Sequence, residues 1–235
     1  IRETARNRWD PESKGSSRPQ VEDRSDAARV CEFLLDEHQV GKPGEHGSVA
    51  DIESATARLG WEVIRVDLND QFRLGGSRPY EEWGLRLLGI EPGGPIGWKG
   101  SDSFELDVAD SPASMEARLQ SRINAGYSSR IAAGYCWSWS KPKADYLFPD
   151  VKIGTWERPW NNPKDTRVGD VPGRPFWAPD PDGFDQVGCI YTAQGFEYAY
   201  SGVSMCRDLV WRTARWVAQP ERSHYATSNV APLRR

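Results

Sequence analysis

Short apolar runs that end abruptly at polar residues, separated by stripes at helical spacing, constrain this chain more than any other feature. Val30-Cys31-Glu32-Phe33-Leu34-Leu35 stops at Asp36, the pattern of a buried strand in an α/β sheet. Beyond the turn residues Pro43, Gly44 and Gly47, Ser48 is placed to cap a helix with Asp51 three positions on. Val49, Ile52, Thr56 and Leu59 then share one face, and Gly60 ends it. Trp61 to Asp67 reads as the next strand. Strand, helix and strand in that order are the signature of a parallel unit.

A second unit follows. Tyr80, Trp83, Leu87 and Leu88 recur at helical spacing and are expected in the core, and residues 89–100 form a Gly/Pro-rich connection. Phe104-Glu105-Leu106-Asp107-Val108 alternates as a half-buried strand should. Ser111 is a cap with Pro112 at the first helical position, and Met115, Leu119 and Ile123 form one stripe before Gly126. Arg130 to Cys136 is predicted to be a strand. Residues 140–186 hold eight of the 17 prolines together with Trp156, Trp160 and Trp177, which predicts a long insertion over the surface. Strand character resumes at Val187 to Tyr191 and again from Tyr198 to Met205, with the polar exit Thr192 to Glu197 between them. The expected class is α/β with a parallel sheet.

With 235 residues the chain has length for one large domain or two small ones. No apolar run is long enough to cross a bilayer, so no membrane partner and a cytoplasmic location are expected. A net charge of -4 argues against a general polyanion-binding coat, and any nucleic-acid contact must be local. Cys31, Cys136, Cys189 and Cys206 lie far apart with no C-x-x-C pair, which suits neither a zinc site nor a disulfide framework; they are expected as small buried hydrophobes, and no metal ligand is assigned. Asp180, Asp182 and Asp185 lack the rest of a calcium-loop pattern and read as a solvated turn. Residues 1–20 read as a loop. Ile1 stands where an initiator methionine would, without a signal-peptide pattern, and the expectation is a fragment of something longer.

Three strand ends carry polar clusters, at Asp36 to Gln39, Gln71 to Arg73 and Thr192 to Glu197. In open α/β sheets ligands bind outside the carboxyl ends of strands, so the clusters are candidates for one cleft. Taken singly, each reads more readily as an ordinary loop cap. Their order, together with FLLDEHQVGKPGEHGS (33–48), VDLNDQFRLGGS (66–77), NAGYSSRIAAGYCWSWSKP (124–142) and VGCIYTAQGFEYAYSGV (187–203), resembles the bacterial Schlafen group 3-like DNA/RNA helicase family, P-loop ATPases of the superfamily 1 type.

The resemblance implies roles for single residues. Asp36 and Gln39 look like the Asp-x-x-Gln of helicase motif III, whose amide senses the terminal phosphate of ATP. Gln71 and Arg73 are similar to the Gln-Tyr-Arg of motif IV, whose guanidinium forks onto the transferring phosphoryl group. Gln194, Gly195 and Glu197 resemble motif V, where glycine permits close approach and glutamate accepts from the ribose. Trp137, Trp139 and Lys141 are candidates for stacking and charge contacts with single-stranded DNA or RNA, against the ordinary reading of tryptophans as packing residues. His38 reads as a hydrogen-bonding linker.

The chain departs from the family pattern in having no G-x-x-x-x-G-K-[ST], no Mg²⁺-holding Asp-Glu pair and no Arg-bearing motif VI, and in carrying Ala199 where an Asp is usual. The expectation is therefore a RecA-like (P-loop NTPase type) lobe with a long Pro/Trp-rich insertion over residues 73–235, preceded over residues 1–72 by the end of another such lobe. ATP and Mg²⁺ would be bound only with a missing N-terminal ATPase lobe as partner, so the fragment alone would be inactive. The rival expectation is a non-catalytic nucleic-acid or protein-binding module of the same shape. A small-molecule hydrolase is disfavoured, because no G-x-S-x-G elbow or Ser, His, Asp set is visible.

Overall fold

The computed structural model describes residues 18–36, 48–67 and 76–224. The chain divides into two compact units, residues 1–69 and residues 70–235.

In the first unit, α1 (Gln20–Asp26) packs against α2 (Val49–Leu59) through Val21 and Ala55, each 2% exposed. Glu22 on α1 pairs with Arg58 on α2. The predicted capping box is present: Ser48 Oγ accepts from Asp51 N at 3.1 Å, and the Asp51 carboxylate accepts from Ser48 N at 3.0 Å. Gly60 takes the left-handed conformation, φ 68°, and Trp61 N closes onto Thr56 O at 3.0 Å, so the helix ends where expected.

The two strands expected to flank α2 are not formed. Residues 30–36 and 61–67 carry no ladder, with Val30 85% and Leu34 84% exposed and Ile64 and Val66 open to solvent. The reason is physical: a cap and a stripe act within one segment, whereas a strand exists only beside another, and no neighbour lies alongside among the described residues.

The second unit begins with α3 (Arg78–Leu87), capped by Ser77. None of its residues is fully buried, which corrects the expectation of a core helix. Tyr80 and Trp83 instead meet Trp98 and Phe104 in a satellite aromatic cluster, with the Tyr80 and Phe104 ring centroids 3.9 Å apart. Phe104 to Val108 is not a strand either. Ser101 and Phe104 make an isolated bridge, Val108 is exposed, and Glu105 and Asp107 face Arg122 and Arg118 on the next helix.

That helix, α4 (Pro112–Asn124), has the predicted Ser111 cap and Pro112 start. Met115, Leu119 and Ile123 face the main core. A parallel sheet lies beneath, in the order β4 (Val187–Gly188), β1 (Ser129–Ala133), β5 (Tyr200–Ser204). Ile131 pairs with Val187 on one side and with Gly202 on the other. Every residue of β1 is buried, as a central parallel strand covered on both faces should be. Gly202 is the floor under α4, because a Cβ there would stand 2.7 Å from Leu119 Cδ1.

Residues 140–186 are not a surface excursion. They supply a hairpin, β2 (Val151–Ile153) with β3 (Trp156–Arg158), and place Trp160 and Trp177 in the interior at 1% and 0% exposure. The prolines punctuate a segment that folds inward because its large aromatic rings have no better place to leave water. The run predicted as one strand from Val187 to Tyr191 breaks after Gly188 into the single-turn helix α5 (Ile190–Ala193). A final hairpin, β6 (Leu209–Arg212) with β7 (Arg215–Ala218), was not foreseen. Its turn is Thr213-Ala214, both at positive φ, and it lacks the Asn-Gly signal that marks such turns in sequence.

Candidate functional site at the carboxyl ends of the parallel strands

Three parallel strands deliver their carboxyl ends to one edge of the sheet. There β1 continues as Gly134-Tyr135-Cys136, and β5 as Met205-Cys206-Arg207-Asp208. The two exits stay together: Gly134 N donates to Ser204 O at 3.3 Å, and Cys206 Sγ lies 3.5 Å from Gly134 O. The Cys136 and Cys206 sulfurs and an Asp208 carboxylate oxygen all lie within 4.8 Å of one another. Burial is the main cause that pushes both thiols up from their ordinary values, far up for Cys206. They pack against the Gly134 backbone, where a Cβ would make ordinary contacts with Cys206 Sγ at 3.4 Å and Asp208 Oδ1 at 3.8 Å. Around this corner Asp208 O accepts from Gln219 N at 2.6 Å, and Tyr135 O accepts from His224 N at 2.7 Å.

At the β4 exit the wall is polar and closed. Asn161 Oδ1 accepts from Cys189 N at 3.1 Å, while Gln186 Oε1 accepts from Asn162 N at 2.9 Å; both asparagines are fully buried. The cysteines divide accordingly. Cys189 is a small buried packing residue, as the sequence suggests, whereas Cys136 and Cys206 are only half-buried and face each other.

The loop carrying Gln194, Gly195 and Glu197 leaves α5 through two backbone bonds, Gln194 N to Ile190 O at 2.9 Å and Gly195 N to Thr192 O at 3.2 Å. All three residues are exposed. Phe196 and Tyr198 turn inward, edge-on to Trp177 with centroids 6.2 and 5.9 Å away. Trp177 in turn lies against Gly188, where a Cβ would come within 2.5 Å of the indole ring. The exposed polar residues are thus mounted on a buried aromatic footing.

Trp137, Trp139 and Lys141 follow β1. Trp137 is half-buried, and its Nε1 donates to Lys152 O at 2.9 Å. Trp139 stacks on buried Trp160 at 5.6 Å, and Tyr135 stacks on the same ring at 5.4 Å. Lys141 is exposed. Among the other sequence candidates, Asp36 is an exposed residue of the first unit, whereas Gln39, Gln71 and Arg73, with His38, lie outside the described residues. Asp180 and Asp182 are engaged by Arg167 at 2.9 Å each, which accounts for that acidic turn without an ion.

The grouping of Cys136, Cys206 and Asp208 escaped sequence reading because no short motif spans it. Only the parallel pairing of β1 with β5 brings positions 136 and 206 to one corner.

The profile of the Schlafen group 3, DNA/RNA helicase domain family matches residues 3–231. Neither the curated proteins nor the solved structures contain a significant match.

Proposed function

Because the chain belongs to the Schlafen group 3, DNA/RNA helicase domain family, we propose that it supplies a RecA-like lobe of a nucleic-acid-dependent ATPase. The observation that carries this reading is the loop of Gln194, Gly195 and Glu197. It stands exposed in the connection from β4 to β5, within the matched region.

The loop fits one side of a nucleotide. Gly195 has only Thr192 O, at 3.6 Å, near the place a Cβ would take, so a ligand can approach its backbone, and the exposed Glu197 carboxylate can accept from a ribose hydroxyl. The chain holds no G-x-x-x-x-G-K-[ST] phosphate-binding loop, and that part would come from a separate ATPase lobe. Mg²⁺ with ATP would supply charge neutralisation at the β- and γ-phosphates. This chain would contribute Arg73 as a fork on the transferring phosphoryl group, Gln39 as the phosphate-sensing amide, and Asp36 and Gln71 as their neighbours. Single-stranded DNA or RNA would meet the outer face of Trp139, the free edge of Trp137 and the Lys141 ammonium.

The test joins the chain to the coding sequence upstream and measures nucleic-acid-stimulated ATP hydrolysis. Arg73→Ala is expected to lower the stimulated rate about 10³-fold. Equal rates in the two proteins would remove Arg73 from the mechanism. Salt-dependent binding of single strands with no hydrolysis in either protein would favour the binding-module reading.

A further inference from the structure

We propose that Cys136, Cys206 and Asp208 form a binding site for one thiophilic divalent cation, Zn²⁺, with the fourth position open to water. The donor set is two sulfurs and one carboxylate oxygen from the segments that leave two neighbouring parallel strands, all within 4.8 Å of one another. Tetrahedral zinc with Zn–S bonds of about 2.3 Å holds two thiolates roughly 3.8 Å apart, so side-chain movements of about 1 Å or less close the shell. Soft sulfur donors select zinc over magnesium or calcium, which take oxygen shells.

Three features mark this corner as more than a chance meeting of side chains. The donors pack closely over the Gly134 backbone, where a Cβ would be in ordinary contact with Cys206 Sγ and Asp208 Oδ1. The Asp208 carboxylate faces two half-buried thiols, and no ion pair joins it to a cation among the described residues. The supports of the three donors are fixed by main-chain bonds, Gly134 N to Ser204 O on one side and Gln219 N to Asp208 O on the other. A cation here would clip the end of β1 to the base of the β6–β7 hairpin. On binding, each thiol gives its proton to solvent as its sulfur–metal bond forms, two protons per ion, and no electron is transferred.

The experiment uses the full chain, purified with a phosphine reductant, and titrates Co²⁺ as the optical probe and then Zn²⁺ as competitor. The expected result is about one equivalent of Co²⁺ with thiolate charge-transfer and tetrahedral d–d bands, displaced by Zn²⁺. Asp208→Asn is expected to weaken binding at least tenfold, and Cys136→Ser with Cys206→Ser to abolish the thiolate band, while Cys31→Ser leaves it unchanged. A second readout guards against a misfolded variant: Zn²⁺ should raise the unfolding temperature of the unaltered chain, with a smaller rise for Asp208→Asn. No Co²⁺ band in the unaltered chain under reducing conditions would overturn the site. So would a band that survives the double cysteine change, or a Cys136–Cys206 disulfide found by mass with no metal uptake after reduction.

Discussion

Arg130 buries a guanidinium in the central strand, and its three nitrogens donate to the carbonyls of Trp177, Ser129 and Asp180 at 2.8, 2.5 and 2.6 Å. Burial lowers its pKa, against the opposing field of Asp180, yet a guanidinium stays charged at any ordinary pH. The side chain ties β1 to the turn that carries Trp177, and so to the footing of the Gln194–Glu197 loop. Arg130→Met would leave those carbonyls without a charged donor in the interior. The expected cost is on the order of 3 kcal/mol, read as a lower urea midpoint with an unchanged slope. The sequence offered no hint of this role, since Arg130 opened a predicted strand where a charged residue reads as a solvent-facing end.

At the scale of elements, the β6–β7 hairpin turns on two residues poorly suited to it. Thr213 and Ala214 sit at φ 50° and 58°, the left-handed region where a β-branched residue is strained. Replacing the pair by Asn-Gly should stabilise the hairpin by roughly 1 kcal/mol, seen as slower amide exchange across Leu209–Ala218. The cluster around α3 makes a separate prediction. Burial raises the Tyr80 hydroxyl above its ordinary pKa, so the folded state favours the neutral phenol. That stability is fully present below the unfolded value of about 10 and is lost as pH rises through it toward the raised folded value. Stability of the unaltered chain should thus fall more steeply above about pH 10 than that of Tyr80→Phe, compared by denaturant midpoints.

These elements show what was legible in the sequence. The starts and stops of α2 and α4 could be read because Ser48 with Asp51, Ser111 with Pro112, and Gly60 act within a few residues. The runs at 30–35, 61–67 and 104–108 misled because apolar content signals burial or pairing, and pairing depends on what else lies nearby. Trp160 and Trp177 pack in the interior, although the proline-rich run that carries them, residues 140–186, was expected on the surface. For the candidate site, the Gln194–Glu197 loop could be read as a contiguous motif, whereas the Cys136, Cys206 and Asp208 corner could not, since it exists only through strand pairing.

For the whole molecule, the two units differ in what holds them. The main cluster, from Leu119 through Ile131, Trp156 and Trp160 to Cys189, lies entirely within residues 70–235. That segment expressed alone is expected to unfold cooperatively, with tryptophan fluorescence and far-ultraviolet dichroism giving coincident midpoints. Non-coincident midpoints would show that its core does not unfold as one unit. Across the described residues no helix is long and apolar enough to cross a membrane.

The central strand pairs with partners made much later. Ser128, at the entrance of β1, holds Ala199 N across 71 positions of sequence. On a ribosome adding about 5–20 residues per second, β1 would wait roughly 4–14 s before β5 has been synthesised. During that interval its five buried positions have neither of the strands that later enclose them. α4, made just before β1, already packs on it, and the tryptophan-bearing segment is the first material made after β1 that joins the same core. Its inward path would thus give the newborn chain an internal cover until the last strand arrives.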